Sequence, residues 1–136
     1  MPNNYKIIDT SLWPRRMHCR IFRDAVQPQY CITVELDVTH FREKVRQKGW
    51  SFTLAFIHSV ASCANETEEF RYRFLGEDIV LYDSIDTSFS YISEGDDLFK
   101  YINAPMIPSI EDYIENTRKI IEAQKEYFTG PPAPDN

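Results

Sequence analysis

The segment EFRYRFLGEDIVLYDSIDTSFSYIS, residues Glu69–Ser93, reads as three short strands in a meander joined by tight turns. In Arg71–Leu75, Tyr72 and Phe74 alternate with Arg71 and Arg73, the period-2 pattern of a strand with one buried face. Gly76 supplies a turn, because glycine takes positive φ without steric cost. Ile79–Tyr82 is a short continuous apolar run, as a strand covered on both faces requires. Phe89 and Tyr91 then alternate with Ser88, Ser90 and Ser93, so a third strand shows rings to one side and hydroxyls to the other.

Outward from this segment, Tyr30–Val38 is rich in β-branched residues, with Ile32, Val34 and Leu36 on one face and Thr33, Glu35 and Asp37 on the other. That pattern predicts a further strand. Tyr5–Ile8 predicts a short first one. Asp9, Thr10 or Ser11 can cap a helix starting near Trp13–Pro14, since proline is tolerated in a first turn. The arginines at 15, 16, 20 and 23 then read as a solvated basic face.

Thr39 is a plausible cap for a helix His40–Lys48 that ends at Gly49. Phe52–Ala64 is apolar almost all round and predicts a central, covered helix. Leu98–Ile102 reads as a short helical turn closed by Pro105 and Pro108. Ser109–Phe128 keeps a 3/4 apolar stripe behind a Ser109/Asp112 capping pair, and Gly130 stops it. Residues 1–128 are expected to form one domain and 129–136 a Pro-rich tail. Four or five strands with interspersed helices predict a mixed α/β sandwich.

The 136 residues suffice for one sizeable core, and 43% hydrophobic with 14% aromatic content argues for a packed chain. A net charge of −6 disfavours non-specific binding to nucleic acid or anionic membrane. No apolar run approaches the length of a membrane span. Cys19, Cys31 and Cys63, odd in number and unpatterned, fit reduced thiols, so a cytoplasmic location is expected.

Read from residues alone, the chain holds no Gly-rich phosphate loop, no Cys/His pair at motif spacing and no nucleophile elbow. His58 in the apolar helix reads as a hydrogen-bonded core residue, and Cys63 lies off its face. No metal site is expected.

Two motif clusters carry a resemblance. Asn65-x4-Phe70-Arg71 followed by Ile79-Val80-Leu81-Tyr82-Asp83-Ser84 resembles the middle of the chloramphenicol acetyltransferase family. Ile8-Asp9-x3-Trp13-x-Arg15-Arg16-x-His18 is similar to that family's N-terminal signature. The resemblance covers nearly all of this chain but only the N-terminal part of a family member. It implies the CoA-dependent acyltransferase fold, present here in incomplete form.

It also implies a homotrimer with the active site in a tunnel at the subunit interface, taking acetyl-CoA from one end and chloramphenicol from the other. In the family a histidine of a His-His-x-x-x-Asp-Gly motif acts as general base on the drug's 3-hydroxyl, and a serine hydroxyl stabilises the oxyanion. Carried over from the motif anchors, the drug-pocket positions fall at Ile21, Phe22, Val26, Pro28, Ser90 and Phe99. Arg15 stands where the family's arginine pairs with an aspartate near the catalytic histidine, a site-structuring role.

None of His18, His40 and His58 has the family's motif around it, so no catalytic residue is assigned. The expectation is an N-terminal part of such an enzyme, cut by truncation or incompleteness, inactive alone and poorly soluble for want of partner strands. A dihydrolipoamide acyltransferase core and a non-catalytic module binding a small ligand or a subunit stay open as alternatives.

Overall fold

Ser51 opens the longest helix, its side chain accepting from the Leu54 N–H at 3.4 Å, and the buried core gathers along one side of that helix. The computed structural model describes residues 4–128; the Pro-rich stretch expected at 129–136 lies outside the described residues. Helices α1 (Arg16–Arg23), α2 (Thr39–Lys48), α3 (Phe52–Glu66) and α4 (Ile110–Ala123) combine with β1 (Tyr5–Ile7), β2 (Tyr72–Leu75), β3 (Asp78–Tyr82), β4 (Thr87–Tyr91) and β5 (Lys100–Ala104). This is a mixed α/β architecture with two small antiparallel sheets, ordered β1-β3-β2 and β4-β5.

The buried core joins α3, α4 and β5 with Val45 of α2: Leu54, Ala55, Ile102, Ala104, Tyr113, Ile114 and Ile121 are its main members. Within it the Tyr113 and Thr87 hydroxyls meet at 2.7 Å, and Thr87 donates to the Ala104 carbonyl at 3.0 Å. The capping expectations at Ser109 and Gly49 are met. Ser109 accepts from the Asp112 N–H. Gly49 takes φ +65°, and the bonds Gly49 N–H to Arg46 O and Trp50 N–H to Val45 O close a Schellman turn.

Several expectations are corrected. The meander splits: β2 and β3 form the predicted hairpin, but β4 leaves it and pairs with β5. Asn65 fixes the departure, its carboxamide bracketing Ile85 by accepting from the N–H at 2.7 Å and donating to the carbonyl at 3.0 Å. Arg71 donates to the Tyr82 carbonyl at 2.6 Å on the same turn. Lys100–Ala104 is a strand rather than the tail of a helical turn, with Ile102 and Ala104 buried.

Tyr30–Val38 forms no strand at all; Tyr30, Ile32, Val34 and Leu36 stand 66–85% exposed. Its alternation is real, but among the described residues no sheet edge pairs with it. The first helix starts at Arg16 with no side-chain cap, because Asp9 is engaged with the Ser11 N–H and hydroxyl. Thr39 lies inside α2 rather than capping it, its N–H held by Asp37. α3 is covered on one side only: Leu54, Ala55 and His58 are buried, whereas Phe52 and Val60 are exposed. α4 ends at Ala123, after which Gln124 donates to the Tyr101 carbonyl and the chain turns to bridge β5 through Phe128.

Candidate functional site

By helical spacing Arg16, Arg20 and Arg23 share one face of α1, with Met17, Ile21 and Phe22 on the others. Ordinary amphipathic packing would turn the apolar residues inward. Here the arginines dock instead. Arg23 reaches across the β2–β3 turn, donating to the Gly76 carbonyl at 3.1 Å, the Glu77 carbonyl at 3.0 Å and the Glu77 carboxylate at 3.1 Å. Its guanidinium also lies 4.7 Å from the Phe74 ring centroid. Arg23 is therefore an anchor, which corrects the solvated-face reading for that residue. Arg16 donates to the Ser11 carbonyl at 2.6 Å.

Arg15, just before the helix, pairs with Glu69 at 2.5 Å, and the Trp13 ring packs on Tyr72 at 5.2 Å. Thus the two motif clusters, separate in sequence, are in contact across the hairpin. Sequence reasoning missed Glu69 as the partner of Arg15: it lies 54 residues away, and its only local signal is its place one residue before Phe70-Arg71. Both side chains are half-exposed.

This docking turns the apolar face of α1 outward, with Met17, Ile21 and Phe22 at 68%, 62% and 54% exposure. Val26 and Pro28 come next, on the exposed loop. Of the other two pocket positions, Ser90 lies on β4 and Phe99 immediately precedes β5. Ser90 stands opposite Tyr101 on the face that also carries Ser88 and Asn103. Phe99 packs edge-on against Phe128 at 5.3 Å. Helix α1 makes no extended packing contact with β4 or β5, so the described residues form two open walls rather than one enclosed pocket.

The histidines occupy three different settings. His58 is buried, its Nε2 at 2.9 Å from the Ile107 carbonyl and its ring 5.1 Å from that of Tyr113. It is a hydrogen-bonded core residue, and among the described residues no carboxylate pairs with it. His40 is exposed next to Glu43 at 3.4 Å, and His18 is exposed on α1. Among the described residues no group of three or more His, Cys, Asp or Glu is placed to share a metal ion. No helix among them is long and apolar enough to cross a membrane.

A model of the family described as chloramphenicol acetyltransferase matches residues 3–136. The chain belongs to that family. Chloramphenicol acetyltransferase 3 of Escherichia coli is 22% identical over 122 residues, which span 90% of this chain and 57% of the relative. A chloramphenicol acetyltransferase of a Klebsiella species is 33% identical over 95 residues, 70% of this chain and 43% of the relative. Among solved structures, a chloramphenicol acetyltransferase superposes with a TM-score of 0.73 at 30% identity, covering 90% of this chain and 61% of the other. The chain spans about half the length of the curated relatives it matches. Within the family signature, Asn65, Arg71, Tyr82 and Asp83 hold the β3–β4 turn, and Trp13 and Arg15 hold the N-terminal segment to the hairpin.

Proposed function

We propose that this chain supplies the acceptor-side walls of a chloramphenicol O-acetyltransferase, an enzyme that moves acetyl from acetyl-CoA to the 3-hydroxyl of chloramphenicol. The observation that carries the reading is the inverted docking of α1: its arginines hold the hairpin, and Ile21 and Phe22 face outward in a chain of this family. Those two side chains, with Val26 and Pro28, offer apolar contact to the drug. Ile21 and Phe22 carry no hydroxyl, so on this wall recognition rests on apolar burial, at about 25 cal/mol per Å². Ser90 supplies a hydroxyl, and Phe99 a ring, from the second wall.

The reaction needs a neutral imidazole to take the hydroxyl proton as the thioester carbonyl is attacked, and a placed donor for the oxyanion. In this reading both come from outside the 136 residues, because His58 is committed to a backbone carbonyl and His18 and His40 are exposed on helices. Residues 1–128 act as one domain and the working enzyme is a homotrimer, in which a neighbouring subunit closes the two open walls. The three unpaired thiols support a cytoplasmic setting.

A chimera tests this: residues 3–136 replace the matched segment of the Escherichia coli relative. The chimera is expected to acetylate chloramphenicol, with KM rising at least tenfold on Phe22→Asp. A chimera that folds and assembles yet leaves chloramphenicol unmodified overturns the reading. The chain alone is expected to show no acetyl-CoA-dependent turnover.

A further inference from the structure

Helix α1 has eight residues and buries none of them, so no apolar seam holds it in place. Isolated helices shorter than about 12 residues are marginal in water, so length does not hold it either. Its C-terminal end is fixed by Arg23, whose side chain is 27% exposed against 52% for Arg15. The Arg23 Nη2 lies within hydrogen-bonding distance of three carbonyls around the β2–β3 turn, Gly76 at 3.1 Å, Glu77 at 3.0 Å and Asp78 at 3.4 Å. Its Nη1 reaches the Glu77 carboxylate at 3.1 Å, and the Phe74 ring centroid lies 4.7 Å from the guanidinium carbon. A planar guanidinium that donates from its edge while its face rests on a ring is fixed in orientation as well as in position.

The Glu77 side chain is fully exposed, so its ion pair contributes little. Arg23 therefore grips the main chain of the turn, which bends at Gly76 with φ +55°. Cys19 lies on the same docked face by helical spacing with Arg16, Arg20 and Arg23. It is half-buried, whereas Met17, His18, Ile21 and Phe22 around it are exposed. Phe22 directly precedes Arg23, and its carbonyl accepts from the Ala25 N–H at 3.2 Å as the helix closes. Releasing Arg23 from the turn frees this last helical turn, and the Ile21 and Phe22 side chains move with it.

We propose, resting on the acceptor-wall reading above, that Arg23 is a positioning residue for the acceptor. By gripping the main chain of the β2–β3 turn it sets where Ile21 and Phe22 stand, and so how tightly an apolar acceptor is held. Arg23 acts through Phe22 and does not itself touch the acceptor.

The test uses the chimera carrying residues 3–136. Arg23→Gln is expected to raise the KM for chloramphenicol roughly fivefold, with kcat and the KM for acetyl-CoA held within about twofold. Phe22→Ala should raise the same KM, and the double variant should go no further than the larger single effect, because both act through one side chain. Glu77→Gln should leave the KM unchanged. In the 136-residue chain with Cys31→Ser and Cys63→Ser, iodoacetamide should alkylate the Cys19 thiol at least threefold faster once Arg23→Gln is added. An unchanged chloramphenicol KM in Arg23→Gln, additive effects in the double variant, Glu77→Gln matching Arg23→Gln, or an unchanged Cys19 rate overturns the proposal. A general loss in kcat and in both KM values also overturns it, since that is the mark of a merely structural residue. An inactive parent chimera overturns the acceptor reading and this role with it, whereas any of these failures in an active chimera removes only the role of Arg23.

Discussion

Arg15 and Arg23 decide how the candidate site is presented, because they hold α1 by its charged side. A hydrogen bond from its own backbone N–H, then the hydrogen bond and charge of Arg15, hold the Glu69 carboxyl below its ordinary value. A carboxyl depressed in the folded state stabilises above its unfolded pKa and loses that contribution as pH falls through the folded one. Amide exchange in Arg16–Arg23, corrected for intrinsic rates, is therefore expected to be steady above about pH 5 and faster below it. Glu69→Gln should show the faster exchange at all pH values. The pair is exposed, so added salt should narrow the gap. Exchange in Glu69→Gln equal to that of the parent at pH 7 would remove Glu69 from this role. His58 makes a different prediction at the same scale. His58→Leu removes a hydrogen bond to Ile107 and should lower stability by about 1 kcal/mol, read as a shift of the urea midpoint at constant m-value.

Elements show which parts of the structure are local and which are not. Gly49 ends α2 at φ +65°, and a Cβ there would meet nothing within 4 Å. Gly49→Ala should thus cost only the backbone penalty, about 1–2 kcal/mol in a thermal or urea melt. Such ends were legible because a cap is satisfied by residues a few positions away; Ser109 is the same case. Strands are pairings, and pairing is non-local. Tyr30–Val38 has the composition of a strand yet no partner among the described residues, so propensity alone cannot make it one. Lys100–Ala104 has weaker composition but a partner in β4. A local signal for it existed, since Pro105 pushes Ala104 toward extended backbone. The candidate site divides the same way. Its positions came from the family motifs, and the outward face of α1 was not legible because it depends on Arg23 meeting carbonyls more than fifty residues away.

At the scale of the whole molecule, apolar surface left open among the described residues includes the outward face of α1, the Phe52 and Val60 side of α3, and the alternating face of Tyr30–Val38. The buried core lies elsewhere, in α3, α4 and the second sheet. Folding and solubility are therefore governed by different residues. An exposed β-rich segment is a template for pairing with another chain, which gives self-association at raised concentration. Ile32→Thr with Val34→Lys and Leu36→Thr should slow that association, followed by sedimentation velocity. The unfolding midpoint should move by no more than about 0.5 kcal/mol, as for surface positions that bury nothing. Were the same triple substitution to abolish a cooperative melt, Tyr30–Val38 would be part of the folding core after all. A monomeric boundary for the unsubstituted chain at high concentration would show that these open faces do not drive association.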